Sequence, residues 1–168
     1  MLFLPRTSPR DDKSPFDGMT LFFVDLDRTH CTIRKIDKLG RAAVDSNEVF
    51  ISDLEATDDD IVGEVGKGFY HLIDGLNPER IVIAMEAIGI GRFALNRAAQ
   101  YATERIVFDR PIGQNQAIAH PLAQAWAQLE SAELLAMKAA WLFDHGLPCG
   151  KEANAAKFLA AEAGFFAC

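Results

Sequence analysis

The sequence has too little positive charge to bind a string of phosphates. Its 168 residues carry 17 Lys and Arg against 24 Asp and Glu, a formal charge of −7, so nucleic acid is not an expected partner. The same deficit disfavours an acidic lipid surface. Long apolar runs are also missing: the longest helical one, Ile81 to Met85, is far too short to cross a bilayer, and no membrane insertion is expected. The opening Met1-Leu2-Phe3-Leu4 ends at Pro5-Arg6, without the basic stretch and apolar core of a signal peptide. Cys31, Cys149 and Cys168 are an odd, widely spaced set that fits neither a disulfide framework nor a zinc site, and a reducing, cytoplasmic location is the expectation. His30, His71, His120 and His145 show no ligand spacing, and no serine sits in a nucleophile elbow. Asp58-Asp59-Asp60 has no second carboxylate-rich segment to complete a cation site and reads as an exposed loop. No metal is expected.

What remains has the make-up of an ordinary globular protein, 49% hydrophobic and 24% charged, enough for one domain core or pieces of two. The chain changes period partway along. Up to about residue 60, short β-branched and aromatic runs between turn residues predict strands at Leu2–Arg6, Thr20–Leu26, Thr32–Ile36 and Glu48–Ile51, with Ser8 to Gly18 as a loop. From Gly66 onward Ala, Leu, Glu, Lys and Gln dominate, and three helices are predicted. The first runs from about Gly68 to Arg105, with a bend expected near Pro78. Between Ile81 and Leu95 only Glu86 and Arg92 are charged, so this helix needs partners on several faces. Gly89 and Gly91 within it predict close backbone packing.

The second helix is expected from an Asn115 N-cap to His145, stopped by Gly146 and Pro148, with Ile118, Leu122, Trp126, Leu129, Ala136, Ala140 and Phe143 at helical spacing. Trp126 and Trp141 are expected in the core or at a helix interface. The third helix begins near Lys151 and reaches Cys168 without a stop signal, while a strand at residue 2 has nothing before it to pair with. Truncation at both ends is the expectation.

Particular segments carry a resemblance. Tyr101-Ala102-Thr103-Glu104-Arg105-Ile106-Val107-Phe108-Asp109-Arg110-Pro111-Ile112, followed by Asn115-Gln116 and Leu122-Ala123, resembles the stretch joining the first two long C-terminal helices of acyl-CoA dehydrogenases. Gly18 to Asp25, Val49 to Asp53 and Val62 to Phe69 are similar to the end of that family's middle β-domain and its passage into the helices. The resemblance implies an α+β fold: a partial β-barrel-like domain over residues 1–64, then an incomplete antiparallel helical bundle over 65–168.

It also implies chemistry. The family oxidises an acyl-CoA to its trans-2-enoyl thioester: a carboxylate takes the α-proton and hydride passes to FAD, which carries the difficult step. Asn77-Pro78-Glu79-Arg80 matches the helix start where some members carry that base, making Glu79 the candidate base and Asn77, Glu79 and Arg80 candidate substrate-binding residues. Other members place the base on a later loop. Arg105 and Gln116 match residues that reach the pyrophosphate and adenosine of an FAD held mainly by a neighbouring subunit, with Phe108 beside them. Val107, also a candidate cofactor-binding residue, stands where many members have a hydroxyl or amide, which implies one FAD hydrogen bond fewer, and Asp109 stands where they commonly have glycine, which adds negative charge near the phosphate. The implied partners are an acyl-CoA substrate, a neighbouring subunit of a homodimer or homotetramer, and an electron-transfer flavoprotein. Two other readings are a non-catalytic fragment that pairs with a full-length homologue, and a related flavin-dependent acyl-CoA oxidase.

Overall fold

A computed structural model describes residues 1–168, which divide into two compact units, Met1–Ile73 and Asp74–Cys168.

The first unit is built on short antiparallel pairings. Strands β1 (Leu2–Phe3), β2 (Leu21–Phe23) and β5 (Ile61–Val62) form one sheet in the order β1-β2-β5, pairing Phe3 with Phe22 and Phe22 with Ile61. Strands β3 (Cys31–Ile36) and β4 (Ser46–Ile51) form a separate hairpin, in register from Cys31–Ile51 to Ile36–Ser46. Neither sheet closes into a barrel. The first two strands are shorter than their β-branched and aromatic runs predict: beyond Phe3 only an isolated bridge, Arg6 to Met19, continues the pairing. Pro5 has no N–H to add to the ladder.

The core of this unit is small, made of Thr20, Leu21, Val24 and Cys31. Thr20 is fully buried, and its hydroxyl is satisfied by Thr7 Oγ1 at 2.6 Å and by the Gly66 amide at 2.9 Å. Gly68 is needed where helix α1 (Gly68–Glu104) begins, because a Cβ there would lie 2.2 Å from the Leu21 nitrogen. Phe69 stacks on Phe16 at 4.2 Å, and Lys67 bonds Asp17 at 2.9 Å. The acidic run Asp58–Asp60 is a 3-10 turn closed by a capping box. Asp60 accepts from the Thr57 amide and hydroxyl, which hold its carboxyl below the usual range.

The second unit is helical. After α1 come α2 (Gln116–Asp144) and α3 (Gly150–Ala167), close to the bounds the sequence predicts, and α1 continues through Pro78 without a break. Gly146, at φ +66°, ends α2: its amide bonds the Phe143 carbonyl while the Leu147 amide bonds that of Leu142.

The core between these helices is lined mostly by alanine. Ala84 and Ile88 of α1, Ala132 and Ala136 of α2, and Ala156 and Ala160 of α3 are all essentially inaccessible. The inward stripe of α2 is thus Ala125, Leu129, Ala132, Ala136 and Ala139, with Leu129 its one large residue. Of the two places expected for them, core or helix interface, Trp126 and Trp141 do not occupy the core: they are 60% and 55% exposed. Trp141 stacks only on His145 of its own helix, at 4.1 Å.

Only Gly91 of the two α1 glycines has a packing role. A Cβ on Gly91 would meet Leu129 at 2.7 Å and the Gly164 Cα at 3.0 Å, and one on Gly164 would meet the Ala87 carbonyl oxygen at 2.7 Å. Around Gly89 there is nothing within 4 Å, so the expected close contact exists at one position and not the other. Arg92 crosses from α1 to bond both Glu130 and Glu133 of α2, which stabilise its charge. Val82, Ile90 and Phe93 remain exposed, so α1 is partnered on one face only.

The start of α3 carries a buried acid. The Glu152 side chain is 9% accessible and meets Lys138 of α2 at 3.2 Å and Lys151 at 3.8 Å. The Lys138 ammonium, with a backbone N–H, holds its carboxyl below the ordinary 4.5. A carboxylate depressed on folding stabilises fully above its unfolded value, and that contribution fades as pH falls through the folded one. The melting temperature should therefore be flat near neutrality and fall below about pH 4.5. In Glu152→Gln this acid-dependent component should be smaller, so thermal melts across pH 3 to 7 should show the two curves converging as pH falls, and parallel curves would refute it.

Candidate functional site

Two places on the helical unit hold the residues singled out from the sequence. The first is the connection from α1 to α2. Strands β6 (Ile106–Val107) and β7 (Arg110–Pro111) pair Val107 with Arg110, which leaves Phe108 and Asp109 as a two-residue turn. Both have positive φ, +53° and +63°, the geometry of a tight hairpin whose twist matches its strands. Any Cβ is penalised at positive φ, and the second position of such a two-residue turn favours glycine most strongly. Asp109→Gly should therefore raise stability by about 0.5–1 kcal/mol, read as an increase in melting temperature.

The connection is braced from within. The Ile112 amide bonds the Arg105 carbonyl at 2.9 Å, Arg110 donates to Asn115 Oδ1 at 2.6 Å, and Asn115 Nδ2 donates to the Ile112 carbonyl at 3.1 Å. Asn115 occupies the N-cap position of α2, but its side chain is spent on this brace rather than on capping the helix. Gly113 seats the following 3-10 turn (Ile112–Gln114) against the Ala102 carbonyl, where a Cβ would approach to 3.0 Å. On this fixed frame Arg105, Val107, Phe108 and Gln116 are all exposed, and Phe108 is 93% so. The Arg105 guanidinium and the Gln116 amide have no partner within the chain. A cation, a hydrogen-bonding amide and an aromatic face are thus presented outward, a donor set suited to a nucleotide phosphate and its base. Beside them Ala99, Ala102, Pro111, Ala119 and Leu122 line an apolar hollow of about 480 Å³.

The second place is a groove of about 460 Å³ between α1 and α3, walled by Leu76, Ile83 and Phe158 and rimmed by Glu79, Arg80, Asn154 and Lys157. Asn77 is almost buried; its Oδ1 accepts from Arg80 Nη1 at 3.0 Å and lies against Gly150 at the start of α3. Arg80 is therefore held by its neighbour on the helix. Glu79 is exposed at the groove rim. Lys157 was not singled out from the sequence, where a lone lysine in an amphipathic helix carries no signal; only the packing of α3 places it at this rim.

The structure does not unite the two places. Glu79 lies about three turns into α1 and Arg105 just past its end, roughly 40 Å apart along the axis at about 1.5 Å per residue. One copy of the chain cannot bring both to the same reacting atoms.

Comparison with known proteins identifies the family. Residues 66–168 match the family model described as acyl-CoA dehydrogenase, C-terminal domain. The acyl-CoA dehydrogenase fadE12 of Mycobacterium bovis is 48% identical over 118 residues, 69% of this chain and 30% of the relative. An acyl-CoA dehydrogenase of Bacillus subtilis is 37% identical over 147 residues, 87% of this chain and 39% of the relative. Among solved structures, butyryl-CoA dehydrogenase from Megasphaera elsdenii superposes with a TM-score of 0.85 at 30% identity, over 96% of this chain and 42% of that one. The chain thus spans about a third to two fifths of the length of these relatives, and over that span it belongs to the acyl-CoA dehydrogenase family.

Proposed function

We propose that this chain supplies the α1–α2 corner and the Glu79 groove of an FAD-dependent acyl-CoA dehydrogenase, with residues 1–64 as the later part of its middle β-domain and 65–168 as the front of its helical domain. The observation that supports this is the corner itself: Arg105, Phe108 and Gln116 are exposed and unpartnered on a connection braced by Arg110 and Asn115. The separation along α1 supports a nucleotide that reaches the corner from a neighbouring subunit.

In this reading Arg105 bonds the pyrophosphate of FAD, Gln116 both donates to and accepts from the adenosine, and Phe108 covers it. FAD, when bound, supplies the hydride acceptor. Arg80, fixed by Asn77, and Lys157 draw the anionic substrate to the groove, and the apolar walls exclude water from the acyl chain. Glu79 removes the α-proton of the acyl-CoA. The neighbouring subunit makes the enzyme a homodimer or homotetramer, an electron-transfer flavoprotein takes its electrons, and the cytoplasm is its place of work.

Titration of FAD into the protein, followed by flavin fluorescence, tests the corner. Arg105→Ala should weaken binding roughly tenfold or more, because it removes charge-assisted hydrogen bonds. Equal affinity of Arg105→Ala and the unmodified protein would sink the proposal. Flavin uptake only after mixing with a full-length homologue would favour the pairing reading, and rapid reoxidation of reduced flavin by oxygen would favour the oxidase.

A further inference from the structure

Helix α2 carries two stripes, and only one of them is used within the chain. The buried one is the alanine line around Leu129. Trp126, Glu130, Leu134, Met137 and Trp141 form the other: at about 100° per residue they lie within about 80° of one another, on the side of α2 away from its alanine line. The four apolar members are 55% to 73% exposed, Leu134 most of all. Together they offer a patch of roughly 500 Å², the size that marks an interaction site rather than scattered surface residues. Its one charge, Glu130, is already neutralised by Arg92. Tryptophan and methionine are residues that interface centres favour.

We propose that this stripe is a two-fold interface with a second copy of the chain, in which α2 packs antiparallel on α2 of the partner about a point beside Leu134. Three observations choose a second copy as the occupant. The stripe is nearly palindromic: with Trp126 level with the partner's Trp141, Glu130 falls level with the partner's Met137, and the two Leu134 side chains lie within one residue of each other. One surface is then complementary to itself, as an isologous contact requires. Lys138 stands one residue from the level of the partner's Glu130, so the charges that meet are opposite. The third observation rests on the corner and the groove belonging to one enzyme site. Ile81 packs with Ala139 and Ala153, which sets Glu79 near the level of Trp141, whereas Gln116 begins α2. In the pair the partner's groove comes level with Trp126, roughly 15 Å along the axis from Gln116 in place of roughly 40 Å within one copy. A dinucleotide is long enough to span the shorter distance.

Sedimentation velocity of the full chain at micromolar concentration, with no flavin present, reads the pairing. A dimer is expected. Leu134→Lys should weaken it roughly hundredfold, the loss of a central contact counted once in each copy, and should leave helical circular dichroism unchanged because the residue is exposed. Cysteine cross-linking reads the register, in a Cys168→Ser background that removes the one exposed thiol. Leu134→Cys should oxidise to a disulfide between copies. Trp126→Cys should link to Trp141→Cys in a mixture but not to itself, its own mate lying roughly 22 Å away along the axis. A monomer at every concentration, a dimer indifferent to Leu134→Lys, or self-linkage of Trp126→Cys would each overturn the proposal. So would an absence of Leu134→Cys links between copies when the chain is carried within a longer protein, where a helix of that protein would then cover the stripe. A monomer whose FAD binding still depends on Arg105 would overturn the pairing and leave the corner reading intact.

Discussion

Gly164→Val should destabilise the helical unit by about 2–3 kcal/mol, whereas Gly89→Ala, on the facing helix, should stabilise it by up to about 1 kcal/mol. Both replace a helical glycine and both gain intrinsic helix propensity, so propensity alone predicts the same sign. Packing reverses it at one site. A Cβ on Gly164 falls 2.7 Å from the Ala87 carbonyl oxygen, a backbone atom that cannot rotate away, and valine adds two methyls beyond it. α1 and α3 must then separate, which also loosens Ala84, Ile88, Ala156 and Ala160. At Gly89 there is open space. Chemical denaturation of the two variants checks the contrast. Equal shifts of the same sign would show that α1 and α3 do not meet at Gly164.

On the proposed assignment of Glu79 as the base, Glu79→Gln should lower kcat of the FAD-loaded protein on an acyl-CoA by roughly 10²- to 10⁴-fold, the usual loss on removing a general base, with little change in substrate binding. Glutamine keeps the shape and polarity of the groove rim and removes only the ability to take a proton. The pH profile separates this role from a structural one. The acidic limb of kcat/KM should disappear in the variant if Glu79 is the base, and persist if the base lies elsewhere. Asn77→Ala gives a graded comparison: by freeing Arg80 it should raise KM more than it lowers kcat.

Element type was legible in the sequence wherever a long periodic segment expressed it. The three helices lie within a residue or two of the bounds that Gly68, Asn115, Gly146 and Lys151 suggest. The orientation of α2 was legible in part. Of the residues at helical spacing, Leu129 and Ala136 are buried and Leu122 and Ala140 pack beside them, yet Trp126 and Phe143 are exposed and the rest of the buried line is alanine. Closely approaching helices select for small volume rather than for apolarity, and a periodicity weighted by hydrophobicity misses that choice. Gly91 and Gly89 look alike for the same reason, because only a neighbouring helix distinguishes them.

The short hairpin at Ile106–Pro111 was hidden too, since two-residue strands hold no period; Asp109 at a turn was its one local clue. Of the site residues, Arg105, Phe108 and Gln116 came from resemblance, and the structure adds the brace of Arg110 and Asn115 beneath them. Lys157 needed three dimensions.

The alanine-lined interior has a thermodynamic corollary. An alanine side chain has no rotamers to lose, so this core orders without the entropy cost that leucine or methionine would impose. By the same fact it has none to offer in response to a change, and a larger residue cannot be accommodated by repacking. The bundle is easy to order and hard to remodel, so sequence drift among its relatives should be concentrated outside the three-helix seam.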